Sequence, residues 1–263
     1  MTTVNLMKPN DFPVNAVAVV QGASRGIGLA LVEALSTDPR FATIVACCRT
    51  PSAAVDLNGL AKQADGKVRV RAVDVTCEDS VRALGEFLDE AGLAPSLVLN
   101  VSGLLHDGDQ LQPEKRLEDL KLAQLERVFA VNALGPALVL RELLPRMART
   151  DKAVFAALSA RVGSISDNRL GGWYAYRASK AALNQLMRTA AIEARRRFKN
   201  VVLAALHPGT TDTGLSRPFQ ANVPEGKLFS PAFVAERLLA VIEQVQIDDS
   251  GQFFAWNGER IDW

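Results

Sequence analysis

The chain has 263 residues, 48% of them hydrophobic and 22% charged, with a formal net charge of +1. That composition suits a globular protein with a substantial core, and so balanced a charge argues against a nucleic acid or an anionic membrane as partner. The three cysteines, Cys47, Cys48 and Cys77, complete no metal-ligand pattern and read as reduced, buried core thiols of a cytoplasmic protein.

Residues 1–10 lack the basic and apolar blocks of a secretory leader, and no apolar run approaches the roughly 20 residues that span a bilayer. The first apolar run, 16–21, predicts a buried strand. It leads into Gln21-Gly-Ala-Ser-Arg-Gly-Ile-Gly28 and then a helix-like stretch from Leu29. Strand, glycine turn and helix start, in that order, present backbone N–H groups and a positive helix end to a pyrophosphate. Gly22 permits the turn, Gly26 lets the backbone approach phosphate oxygens, and Gly28 allows close packing.

Further strands are predicted at 43–48, 68–73, 96–100, 153–159, 201–206 and 253–256, and helices at 78–91, 117–148, 175–198 and 231–246. Thr76 precedes Glu78 and Asp79 and reads as a helix cap. The basic run Arg195-Arg196-Arg197 closes the third of these helices, where cations favour the dipole. Alternating strand and helix imply right-handed crossovers and a doubly wound parallel α/β sheet, covered on both faces. No repeat or linker interrupts it, so residues 1–263 read as one domain. The irregular stretch 209–230, with Pro218, Pro224 and Gly226, reads as a substrate lid.

The second chemical signal is Tyr176-Arg-Ala-Ser-Lys180. Four residues apart on a helix, the phenol and the ammonium share a face. A cation there favours phenolate and would draw the Tyr pKa down toward working pH. Such a group gives and takes protons in carbonyl–alcohol interconversion.

The glycine turn and this pair, about 150 residues apart, resemble the short-chain dehydrogenase/reductase family. The resemblance implies a Rossmann-like, NAD(P)-binding fold. It makes Gly22, Ser24, Arg25, Gly26, Ile27 and Gly28 the phosphate loop, and places Asp74 and Val75 at the adenine. The family's N-N-A-G strand end corresponds to Asn100-Val101-Ser102-Gly103, a variant keeping Asn100 and Gly103, with Ser102 between. Asn132 matches its active-site helix Asn, which positions a water. Pro208, Gly209, Thr211 and Thr213 match the turn that closes over the nicotinamide. Tyr176 and Lys180 then serve both catalysis and cofactor. The segment from Gly163 to Tyr176 is similar to the branch holding C-factor-type signalling proteins and sniffer-type carbonyl reductases. By the same resemblance the protein is a homodimer or homotetramer. Phe129, Leu134, Leu183 and Met187 would supply either core or seam.

One departure stands out. The family's active-site Ser lies three before a glycine, and counting back from Gly163 gives Ala160, preceded by Ser159. Ala cannot donate a hydrogen bond to the substrate oxygen. Either Ser159 or Ser164 substitutes, or the site works without that donor, or it no longer reduces carbonyls. Cofactor choice follows charge. The second strand ends Cys47-Cys48-Arg49 with no acid, and Arg25 sits in the glycine loop. Two guanidinium groups suit the 2′-phosphate of NADP(H) rather than the bare ribose of NAD(H). The expected activity is NADP(H)-dependent interconversion of a small-molecule carbonyl and alcohol. The alternative is a nucleotide-binding regulatory or signalling protein with vestigial catalysis. Candidate substrate walls are 104–110 with His106 and Asp107, Trp173 and Tyr174, and the lid 215–229.

Overall fold

A computed structural model describes residues 12–263; the residue 1–10 segment, where no leader is expected, lies outside them. The central feature is a seven-stranded, all-parallel sheet. Its strands are β1 (Ala16–Gln21), β2 (Phe41–Cys48), β3 (Val68–Ala72), β4 (Leu97–Asn100), β5 (Ala153–Leu158), β6 (Val201–His207) and, after two short strands, β9 (Gln252–Ala255). They lie in the order β3-β2-β1-β4-β5-β6-β9. The connection reverses direction between β1 and β4, which opens a crevice above their C-terminal ends.

Helices α1 (Gly26–Thr37), α2 (Val55–Gln63), α3 (Glu78–Glu90), α4 (Leu122–Phe129), α5 (Gly135–Leu143), α6 (Tyr174–Arg197) and α7 (Pro231–Gln244) complete the layers. Every residue of β1, β4 and β5 is buried, as expected for strands covered on both faces. Alternate side chains feed separate cores: Ala18 and Val20 pack in one layer with Leu31 of α1 and Leu238 of α7. Val19 joins the other with Leu88 of α3, Leu143 of α5 and Leu183 of α6. Ser230 caps α7, its Oγ accepting from the Phe233 N–H at 3.2 Å, and Pro231 follows where no donor is needed.

Several expectations need correction. The helix expected over 117–148 is broken into a 3₁₀ turn, α4, a π-turn at Ala130–Leu134, α5 and a second 3₁₀ turn. Pro136 has no N–H for the helical ladder, so the turn before it widens instead of continuing. The stretch Leu122–Arg146 is also long and apolar enough, by length and composition, to cross a bilayer, contrary to the expectation; half of its apolar window is buried inside the protein. Thr76 is not the cap of α3; that position is Cys77, while Thr76 donates to Asp74 Oδ1 at 2.7 Å in a local turn. Cys47 and Cys48 are buried, but Cys77 is exposed, standing at a helix start on the surface. Leu183 and Met187 belong to the core, whereas Leu134 is 55% exposed.

The lid segment has its own order. Strands β7 (Thr210–Thr211) and β8 (Leu228–Phe229) pair in parallel at its base, with a 3₁₀ helix Arg217–Asn222 between them. Phe229 packs its ring 4.6 Å from Trp256 and 5.0 Å from Phe233, fastening that base to α7 and the sheet edge.

Candidate active site

The glycine turn rises from β1 into α1. Gly22 has φ +90° and Gly26 φ +56°, in the left-handed region that disfavours side chains. A Cβ on Gly22 would stand 2.8 Å from the Ser102 backbone N, and one on Gly26 would stand 3.1 Å from Thr213 Cγ2. The first turn of α1 therefore meets two other predicted segments, the end of β4 and the turn after β6, around one cleft. Gln21 lies opposite Asn100 in the parallel register. Asn100 Oδ1 accepts from Ser102 Oγ at 3.1 Å, while Asn100 Nδ2 and Thr211 Oγ1 are buried without a hydrogen-bond partner among the described residues. Unpaired buried polar atoms call for an explanation, and a bound polar ligand supplies one. A glycine cradle, a helix N-terminus and orphaned donors around one cleft fit a dinucleotide.

Tyr176 and Lys180 stand on the first turns of α6, both buried. Lys180 Nζ donates to the Leu158 carbonyl at 2.8 Å and lies 5.8 Å from the centre of the Tyr176 ring. Asn132 sits in the π-turn, where an extra residue per turn aims it inward. Its Oδ1 accepts from the Leu104 N–H at 2.7 Å; its Nδ2 donates to the Leu104 carbonyl at 2.8 Å and to Ser179 Oγ at 3.1 Å. Ser179 Oγ in turn donates to the Tyr176 carbonyl at 2.8 Å. At Gly103 a Cβ would lie 3.8 Å from Asn132 Oδ1, 3.9 Å from Lys180 Nζ and 3.6 Å from Leu215 Cδ1. Asn132, Lys180 and the lid thus converge beside the end of β4.

The electrostatics depart from the simple expectation. Burial pushes the Tyr176 phenol up to about 12 and the Lys180 ammonium down to about 7. The lysine does not pull the phenol down, because each group loses more from desolvation than it gains from the other. Tyr176 keeps its proton at neutral pH, the state a general acid needs.

Ser159 is placed away from that role. Its Oγ donates to Asn184 Oδ1 at 2.6 Å, deep in the protein. A hydroxyl has one proton, so none is left for a substrate. Ser164 Oγ shares a hydrogen bond with Ser166 Oγ at 3.2 Å and accepts from the Asp167 N–H. Ala160, with extended backbone at φ −148° and ψ 146°, points opposite to Ser159 and carries no donor. The next residue, Arg161, donates its N–H to His207 Nδ1 at 3.2 Å, and burial pushes His207 down to about 4.

Of the other expected cofactor residues, Arg25 and Arg49 are exposed; Asp107, held below the usual carboxylate range mainly by Arg127, also feels the Arg49 charge. Asp74 Oδ1 accepts from Thr76, and Val75 is buried. Ile27 and Gly28 belong to the first turn of α1, Ser24 to the turn before it, and Pro208 and Gly209 to the turn between β6 and β7. Sequence reasoning missed Asn184, although it lies one further helical step from Lys180 on the Tyr176 face. It also missed Glu114, a buried carboxylate whose Oε2 accepts from the Ala175 N–H at 3.1 Å. No sequence signal marked that residue.

The short chain dehydrogenase family profile matches residues 16–224. This chain belongs to that family. A relative described as "C-signal", from Myxococcus xanthus, is 35% identical over 147 residues, covering 56% of this chain and 83% of that one. The 1-hydroxy-2-glutathionyl-2-methyl-3-butene dehydrogenase of Rhodococcus sp. (strain AD45) is 27% identical, covering 94% of this chain and all of its own. Among solved structures, the NADPH-bound carbonyl reductase from chicken fatty liver is 27% identical with a TM-score of 0.84, covering 95% and 100%. A Pseudomonas aeruginosa carbonyl reductase in complex with NADP is 26% identical with a TM-score of 0.75, covering 94% and 100%. The short chain dehydrogenase described here is therefore an oxidoreductase by family, on the family's parallel-sheet scaffold.

Proposed function

We propose that this short chain dehydrogenase reduces a small carbonyl compound to an alcohol with NADPH. The observation that carries the reading is the convergence of Lys180 Nζ and Asn132 Oδ1 beside Gly103, next to a Tyr176 that retains its proton at neutral pH. When bound, the reduced nicotinamide supplies hydride. Tyr176 gives its phenolic proton to the oxygen that becomes the alcohol. Lys180, with its proton affinity balanced near pH 7, returns a proton toward Tyr176. Asn132 holds the Leu104 backbone and, through Ser179, the first turn of α6, so the donor stays in place. The choice of NADPH rests on the two exposed guanidinium groups, Arg25 and Arg49, and on the absence of an acid at the end of β2. The two carbonyl reductases described with NADPH and NADP support it.

The test is NADPH oxidation over a panel of aldehydes and ketones. Turnover that disappears in Tyr176→Phe, with NADPH binding retained, is expected. A second reading, a nucleotide-binding regulatory protein, draws on Ala160 and on the engaged Ser159 hydroxyl. It requires NADPH binding with no turnover, and a Tyr176→Phe variant indistinguishable from wild type.

A further inference from the structure

Trp173, the residue that opens α6, has φ +53° and ψ +44°. A bulky side chain in this left-handed region is a genuine outlier and stores strain. It persists because a clamp holds it. Trp173 donates its N–H to the Glu114 carbonyl at 2.6 Å, and Ala175, two residues on, donates to the Glu114 carboxylate. From the other side Arg177 Nε donates to the Gly171 and Gly172 carbonyls at 3.2 and 2.9 Å. Glu114 is only 4% exposed, so a carboxylate has been taken out of water to serve this turn.

The strained backbone fixes one ring. The Trp173 indole stands edge-on to the Tyr176 phenol, centres 6.2 Å apart at 80°, and edge-on to Phe219 of the lid, 4.9 Å apart at 62°. Phe219 meets the His106 imidazole at 5.7 Å and 72°, and His106 Nε2 lies 3.0 Å from the Gly214 carbonyl. A chain of rings, His106 to Phe219 to Trp173, thus ends on the proton donor, and the proton transfer proposed above uses none of the three. Each edge-to-face pair covers one face of one ring, but Trp173 and Phe219 are both only half-buried, so ring surface remains for a further ring; such contacts favour a planar aromatic partner over a puckered saturated one of the same size.

We infer that Trp173 and Phe219 determine specificity for carbonyl compounds bearing an aromatic ring on the carbonyl carbon, with Glu114 as the positioning residue that sets the Trp173 ring. The inference rests on the carbonyl-reductase reading. Hydride from the reduced nicotinamide forms the new C–H bond, the C=O π pair takes the Tyr176 proton, and the aryl ring is unchanged. The product is the benzylic alcohol and oxidised cofactor.

Acetophenone and cyclohexyl methyl ketone share a skeleton and differ in planarity; conjugation lowers the intrinsic reactivity of the acetophenone carbonyl, so a kcat/KM ratio in its favour reads the slot. Acetophenone is expected to be favoured about tenfold or more. Trp173→Leu and Phe219→Leu should each cut that ratio several-fold, mainly through KM. Glu114→Ala should do the same, and Glu114→Gln, which keeps an oxygen acceptor for the Ala175 N–H, should restore it. A turnover-independent arm measures binding of 1-phenylethanol and 1-cyclohexylethanol to the NADP⁺-saturated Tyr176→Phe protein by saturation-transfer NMR. Turnover with equal rates, with the cyclohexyl ketone preferred, or with a ratio untouched by Trp173→Leu, overturns the inference and leaves the reductase reading standing. No turnover but selective binding of the phenyl alcohol upholds the aromatic slot and removes the reductase. No turnover and no selectivity removes both.

Discussion

Replacing Lys180 by Met should stabilise the nucleotide-free protein at neutral and mildly acidic pH. Lys180 is 2% exposed, and burial alone drives its pKa from 10.5 to about 7. At about 1.4 kcal/mol per tenfold change in proton affinity, that depression represents roughly 5 kcal/mol paid to bury the ammonium. Met is unbranched and adaptable, and fills a similar channel. It loses the hydrogen bond to the Leu158 carbonyl, worth about 1 kcal/mol, and leaves that acceptor less well satisfied. The net gain at pH 6 is therefore about 3 kcal/mol. The pH dependence is sharper than the magnitude. Between about 7 and 10.5 the unfolded chain binds a proton that the folded chain does not, so wild-type stability climbs with pH across that window. The advantage of the Met variant should shrink over the same interval and vanish, or reverse by the value of the hydrogen bond, above it. Urea unfolding of both proteins at pH 6, 8 and 10 measures this, since titrations common to both cancel in the difference. A gap independent of pH, or a wild type already more stable at pH 6, would refute the assignment of Lys180 as a desolvated amine.

Other expectations concern the cofactor loop and the departure from the family pattern. Ala160→Ser should raise kcat by up to about 100-fold with NADPH affinity unchanged, by adding a donor for the developing alkoxide; unchanged kcat would show that this position does not limit catalysis. Gly22→Ala, which sets a Cβ 2.8 Å from the Ser102 N at φ +90°, should cost at least about 2 kcal/mol in thermal unfolding, and a variant as stable as wild type would contradict the close approach. Arg49→Asp should weaken NADPH far more than NADH in calorimetry; wild-type protein binding both equally would remove the 2′-phosphate assignment.

Much of this fold is legible from the chain because its causes are local. Continuous apolar runs such as Ala16–Gln21 and Ala153–Leu158 are what strands buried on both faces require, and the glycine turn sits where strand gives way to helix. The Tyr176–Lys180 face follows from helical spacing. The features that escaped depend on distant partners. The expectation of an unbroken long helix did not weigh Pro136, and the π-turn that aims Asn132 inward depends on its packing against Leu104 and Ser179. The expectation that Lys180 lowers the Tyr176 pKa came from proximity alone; burial, which no spacing reveals, reversed it. Glu114 carries no motif, and its clamp on Trp173 spans 59 positions of chain to meet a turn prepared by Gly171 and Gly172. Ser159 was a candidate because of its neighbour in sequence, while its hydrogen bond goes to Asn184 on another element.

The contact between Gly26 and Thr213 has a consequence for how the protein is made. The two walls of the cleft leave the ribosome far apart in time, since Thr213 follows Gly26 by 187 positions (213 less 26). A ligand that needs both walls cannot favour the native state of a nascent chain before Thr213 has emerged. Until then the early half of the sheet, with β1 already at its centre, must hold together on apolar packing alone. Cellular cofactor supply should therefore govern the persistence of the finished protein far more than its success in folding during synthesis.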